Sequence, residues 1–87
     1  MTKNSQSPNL NKKKLFQLLA DVLQVSVNKI NEKTSPDTVR SWDSFNGLII
    51  VAELEKAFKI SFSMDEIINA QNVGDIIKYL KKHKINI

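Results

Sequence analysis

The stretch WDSFNGLIIVAELEKAF, residues 42–58, decides how this chain folds. Asp43 or Ser44 stands in position to cap a helix, and the apolar run that follows predicts a helix over residues 45–58. Projected at about 100° per residue, its apolar side chains divide into two groups. One group is Ile50, Val51, Leu54 and Phe58, and the other is Phe45, Leu48, Ile49 and Ala52. Because a core needs only one of these faces, the second face is available for another contact.

Upstream of this helix, the sequence predicts one more helix and a long connection. The apolar positions of the first helix are Leu15, Phe16, Leu19, Val22 and Leu23. Their spacing is that of a single amphipathic stripe. Residues 26–43 then form an 18-residue connection, and a loop of that length is usually pinned to the core, disordered or functional. Trp42 is expected to anchor this loop rather than bind a ligand, because a buried tryptophan contributes a large apolar area.

Downstream, two further helices are predicted from their capping residues. Ser63 and Glu66 have the spacing of a capping box, which predicts a short helix carrying Ile67 and Ile68. Asn72 can cap the last helix. The apolar stripe of that helix is Val73, Ile76, Ile77 and Leu80. These elements predict an all-α fold, a four-helix bundle with a short third helix and a long loop between helices one and two.

The bundle is expected to occupy residues 10–83, flanked by a flexible tail over residues 1–9 and a C-terminal tail over residues 84–87. Within the first tail, Ser7-Pro8 is an alternative helix start.

Composition excludes several classes of protein. A chain of 87 residues allows one domain. It has no cysteine and one histidine, His83, so thiolate sites and Ser-His-Asp triads are not expected. The longest apolar run, residues 48–52, is far too short for a membrane span, and the polar N-terminus is not expected to be a signal peptide. The sequence therefore predicts a cytoplasmic protein that is not an enzyme.

The net charge of +4 is unevenly distributed along the chain. Eight lysines lie before residue 15 or after residue 77, whereas residues 15–77 carry five basic and nine acidic side chains. A small basic helical protein that binds nucleic acid is therefore an alternative. Against it, the single arginine, Arg40, lies in the long loop, and an 18-residue connection is too long for a helix-turn-helix. Terminal lysines more often serve solubility.

The order and spacing of these elements resemble the acyl carrier protein family. The resemblance is carried by the run 42–45 (Trp-Asp-Ser-Phe), followed by Leu48, the pair Leu54-Glu55, Phe58 and the run 60–62 (Ile-Ser-Phe). Downstream, residues 72–76 (Asn-Val-Gly-Asp-Ile) resemble the start of that family's fourth helix. The similarity covers about residues 15–82, which is most of the chain.

The resemblance implies that Ser44 is esterified by 4′-phosphopantetheine, a covalent arm whose thiol carries an acyl or aminoacyl group as a thioester. The local physics agrees, since a helix N-terminus offers backbone N–H groups and a positive dipole end to a phosphate. The resemblance also implies that Asp43 contacts the transferase that loads the arm, through its magnesium-bound coenzyme A. A simple capping role for Asp43 or Ser44 is the alternative at this point.

The resemblance further implies that Phe45, Leu48 and Ala52 on the second helix either meet partner enzymes or open onto an acyl-chain cavity. An ordinary core face is the alternative. Asn46, Ile49 and Lys56 stand where the family usually has acidic residues, which leaves Glu53 and Glu55. Electrostatic steering is therefore expected to be weaker and apolar contact stronger. On this interpretation Ile49, Glu53 and Lys56 complete the surface that partners contact.

The partners implied are a phosphopantetheinyl transferase with coenzyme A, an acyl or aminoacyl ligase, and a synthase or acyltransferase. They are expected to belong to a dedicated pathway, such as lipid, polyketide or polysaccharide modification. A monomer is expected, with no metal ion and no bound nucleic acid. A carrier-like interaction module whose serine is never modified is a further alternative.

Overall fold

The computed structural model describes residues 8–87, which form four α-helices and no β-strand. The helices are α1 (Pro8–Leu23), α2 (Ser44–Phe58), α3 (Met64–Asn69) and α4 (Val73–Lys82), with a short 3-10 helix at Val27–Lys29. The predicted all-α fold with a short third helix and a long first connection is confirmed. Within the described residues, no helix combines the length and apolar character needed to cross a membrane.

The core is formed by one face of each long helix. The apolar side chains that α1, α2 and α4 bury are Leu15, Leu19, Ala20, Leu23, Ile50, Leu54, Phe58, Val73, Ile76, Ile77 and Leu80. The core face predicted for α2 is confirmed at Ile50, Leu54 and Phe58, whereas Val51 is half-buried. The opposite face of α2 leaves Phe45 and Leu48 exposed.

The 18-residue connection is pinned at two points. Near its C-terminal end, Ser41 Oγ donates to the carbonyl oxygen of Leu23 at 2.7 Å. Near its middle, the backbone N–H of Val73 donates to the carbonyl oxygen of Thr34 at 2.9 Å. Trp42 is buried with 7% of its surface exposed, which confirms the predicted anchor. These contacts hold the start of α2 in a fixed place relative to α1 and α4.

The capping residues predicted for the last two helices are confirmed. Ser63 and Glu66 form a complete capping box, in which each side chain accepts from the other residue's backbone N–H. The Asn72 side chain accepts from the backbone N–H of Asp75 at 2.7 Å. Together these caps fix where α3 and α4 begin.

The predicted tails differ from the structure at both ends. Helix α1 begins at Pro8, a residue well suited to the first helical position, so the predicted tail extends two residues too far; residues 1–7 lie outside the described part of the chain. At the other end, residues 84–87 are not a free tail. Ile85 is buried, and Asn11 Nδ2 donates to the carbonyl oxygen of Asn86 at 2.7 Å. Burial of an isoleucine side chain stabilises this end against α1.

Candidate functional site

The N-terminus of α2 is capped by Asp43 and not by Ser44. Asp43 has an extended backbone, and its Oδ1 accepts from the backbone N–H of Asn46 at 2.8 Å. Asn46 in turn donates from Nδ2 to the carbonyl oxygen of Ser41, also at 2.8 Å. The helix start is therefore held both by its own cap and by the end of the long loop.

Ser44 is the first residue of α2 and is exposed to solvent. Because Asp43 supplies the cap, the Ser44 hydroxyl is not needed for one. Two other serines have structural roles: Ser41 Oγ donates to a backbone carbonyl, and Ser63 Oγ accepts from the N–H of Glu66. Ser44 thus combines an accessible hydroxyl with a helix N-terminus, where the first-turn N–H groups and the dipole favour a phosphate.

A cavity of about 450 Å³ opens beside Ser44. Asp43 and Ser44 lie at its lining. Its walls come from α2, α3, α4, the connections between them, and Pro36 and Trp42 of the long loop. The apolar side chains of these walls include Leu48, Val51, Leu54, Phe62, Ile67, Ala70 and Ile76. A mostly apolar cavity of this volume is large enough for a small-molecule ligand.

Glu66 places a charged group in the wall of this cavity. It is 5% exposed, and its Oε1 accepts from the backbone N–H of Ser63 at 2.8 Å and lies 2.9 Å from His83 Nε2. The hydrogen bond with His83, supported by the one from Ser63, lowers the pKa of Glu66 from 4.5 to about 2 although burial acts in the opposite direction. Glu66 is therefore ionised at neutral pH, and its Oε1 is engaged with both Ser63 and His83.

The residues predicted to contact partners divide into two neighbouring areas. Phe45, Leu48, Ala52 and Lys56 are exposed, with Phe45 at 71% and Leu48 at 62%. Ile49 and Glu53 are half-buried in a shallow groove between α1 and α2, which Leu18 and Val22 also line. Glu53 lies 3.7 Å from Lys56 across one turn. The four exposed residues therefore lie on an open face of α2, and Ile49 and Glu53 lie at its edge.

Several residues of the site were missed by the sequence analysis. Val51 was assigned to the core face but lines the cavity. Ile67 also lines it, while its neighbours on α3, Met64 and Ile68, are 67% and 65% exposed. The apolar character of the short helix was visible in the sequence, whereas its position across from α2 was not. Tyr79 and Ala70 carry no sequence signal that would have assigned them to a cavity.

Comparison with known proteins gives two findings. A family model described as "Phosphopantetheine attachment site" matches residues 13–80, which is most of the chain. Two proteins named "Acyl carrier protein", from two strains of Porphyromonas gingivalis, are each 28% identical to this chain over 71 residues. That alignment covers 82% of this chain and 91% of each relative.

Proposed function

Because this chain belongs to the acyl carrier protein family, whose members are carriers with a covalent 4′-phosphopantetheine arm and not enzymes, we propose that Ser44 bears that arm. The observation that carries the proposal is an exposed hydroxyl on the first residue of α2, at the lining of the cavity. The arm supplies a thiol, which this cysteine-free chain lacks. Ser44 provides the ester oxygen, and the N-terminus of α2 stabilises the phosphate.

Asp43 has a positioning role in this proposal. Its side chain is committed to the cap through the N–H of Asn46, and its exposed carboxylate lies directly beside the serine. An exposed carboxylate next to the acceptor hydroxyl is suited to contact a transferase that uses magnesium-bound coenzyme A. One residue can therefore hold the helix start and present a charge to the loading enzyme.

The cargo that the cavity favours is an apolar acyl group. Its walls are lined mainly by aliphatic side chains and Phe62, and it opens beside the residue that would bear the arm. Each methylene buried there contributes about 0.8 kcal/mol. Longer saturated chains should therefore be sheltered more firmly than acetyl, up to the length at which the cavity is full.

We expect an octanoyl thioester on the arm to hydrolyse more slowly than free octanoyl-pantetheine, with a much smaller difference for acetyl. The measurement is thioester loss at mildly alkaline pH, followed by intact mass. Val51→Phe is the matched variant, because it adds bulk to the cavity from a half-buried position and should remove the protection without preventing loading. If the protein slowed hydrolysis of the octanoyl and acetyl thioesters by the same factor, relative to the free pantetheine thioesters, an acyl cavity would be contradicted.

The partner surface proposed for this carrier is centred on Phe45 and Leu48. Phe45 and Leu48 are both largely exposed, and apolar side chains exposed side by side are suited to contact a partner. We propose that a phosphopantetheinyl transferase, an acyl or aminoacyl ligase, and a synthase or acyltransferase of a dedicated pathway contact it in turn. The absence of cysteine fits a reducing compartment, and we place the carrier in the cytoplasm as a monomer.

Ile49→Glu tests how far this surface extends. Because Ile49 is half-buried in the groove with Leu18 and Val22, a glutamate there can still reach water, and we expect a stability cost of about 1 kcal/mol. Loss of apolar contact should weaken the affinity for the cognate ligase by about tenfold or more. Acyl loading by that ligase should slow accordingly. Ala52→Glu, at an exposed position on the same helix, is the control for added charge. A cost of several kcal/mol, seen in thermal melting, would assign Ile49 to the core instead.

A further inference from the structure

Helix α3 is attached to the rest of the bundle in an unusual way. Of its six residues, all within the described part of the chain, Glu66 is the one classed as buried. Ile67 is half-buried, and both Met64 and Ile68 are mostly exposed. A helix this short has little intrinsic stability. Its position therefore depends strongly on how the buried carboxylate is held.

The carboxylate of Glu66 is held by groups from two separate elements. The backbone N–H of Ser63 donates to Oε1 at 2.8 Å, within the capping box of α3. His83, which ends α4, places Nε2 at 2.9 Å from the same oxygen, and Lys82 Nζ lies 3.5 Å from Oε2. The contacts of His83 and Lys82 join the first turn of α3 to the last turn of α4. His83 also packs edge-on against Phe62, with ring centroids 5.5 Å apart.

Lys82 and His83 are not equivalent partners of Glu66. The Lys82 side chain is 69% exposed, so water and salt screen its interaction with Glu66. The His83 side chain is 26% exposed and makes the shorter contact. A buried carboxylate that loses its main hydrogen-bond donor carries a large desolvation cost. The least costly response is movement of α3 that returns Glu66 to water.

Movement of α3 would open the cavity beside Ser44. Ile67 and Ala70 belong to α3 and its C-terminal cap, and both line that cavity, as do Glu66 and Phe62. We propose that Glu66 and His83 form a latch that holds α3 in place as one wall of the cavity, and that the latch sets how firmly a cargo is sheltered. The role of the latch in sheltering cargo rests on the proposed function, whereas its role in holding α3 does not.

The latch is tested on the full-length protein without its arm, by amide hydrogen exchange. His83→Ala should raise the exchange rates of α3 amides by about tenfold to a hundredfold, the loss expected for a hydrogen bond to a charged group. The rates in α1 and α2 should stay unchanged. Lys81→Ala is the matched control, since Lys81 lies on the same turn of α4 and is exposed; it should leave α3 unaffected.

His83→Phe separates the hydrogen bond from ring packing. Phenylalanine keeps a ring beside Phe62 but has no N–H to donate, so it should behave as His83→Ala does. Wild-type exchange in His83→Phe would overturn the latch, because packing would then account for the contact. Exchange that is unchanged in His83→Ala, or that rises equally in every helix, would overturn it as well.

The role of the latch in sheltering cargo is tested on the same variants loaded with octanoyl-phosphopantetheine. Thioester hydrolysis in His83→Ala should accelerate by about the factor found for α3 exchange, with acetyl hydrolysis unchanged. Faster α3 exchange with unchanged octanoyl hydrolysis would overturn the role in sheltering cargo. If Ser44 accepted no arm, the proposed function would fail, and the exchange data would still decide whether the latch exists.

Discussion

Replacing Ser44 with alanine is expected to abolish attachment of phosphopantetheine while leaving the fold intact. Attachment requires a hydroxyl oxygen to form the phosphodiester, and alanine has none. Stability should change by no more than about 0.5 kcal/mol, because Asp43 supplies the helix cap and Ser44 is exposed. The measurements are intact mass after incubation with a broad-specificity phosphopantetheinyl transferase and coenzyme A, together with a circular dichroism melt.

Two other serines provide controls for this substitution. Ser41→Ala removes a hydrogen bond to Leu23, and Ser63→Ala removes the cap of α3. Each should lower stability by about 1 kcal/mol, yet both variants should still gain the arm. A mass gain that persists in Ser44→Ala would sink the assignment of the attachment site.

Leu54→Ala is expected to destabilise the protein by about 2–5 kcal/mol, as is usual for a leucine removed from a packed core. Leu54 is 1% exposed and lies on the core face of α2. Leu48→Ala is its matched control on the same helix, since Leu48 is 62% exposed and its loss should cost no more than about 0.5 kcal/mol. Urea unfolding of the two variants measures the difference directly.

The same pair of variants should show the opposite order in partner binding. Leu48→Ala removes apolar area from the open face, so loading by the cognate ligase should slow. Leu54→Ala should load normally at temperatures where the variant remains folded, because its side chain is inaccessible to a partner. Similar losses of stability in both variants would mean that α2 does not have one core face and one binding face.

The secondary structure could be predicted because its signals are local. The capping box of Ser63 and Glu66 and the cap by Asn72 are each contained in four residues, and the structure shows both. The two-faced pattern of residues 45–58 separated Leu54 from Leu48 correctly. A side-chain period or a cap depends on nearby residues alone, so it can be read without knowing the tertiary structure.

The residues that line the cavity and the latch could not be predicted from local patterns, because both depend on how distant elements are spaced. Glu66 and His83 are 17 residues apart, and each has an ordinary local explanation, as a capping-box glutamate and as a histidine after a lysine-rich helix. The position of Val51 in the apolar stripe of α2 is the same whether its side chain packs in the core or lines a cavity. Ile85 was assigned to a tail because a single isoleucine beyond a helix has no periodicity to reveal its burial.

The central claim is that Ser44 carries the phosphopantetheine arm, and peptide mass spectrometry of the loaded wild-type protein tests it most directly. Trypsin cleaves after Arg40 and Lys56, so Ser41 and Ser44 fall in one peptide, residues 41–56. We predict a gain of one phosphopantetheine on that peptide, with fragment ions that place it on Ser44. An unmodified peptide after complete incubation, or fragments that place the group on Ser41, would contradict the account.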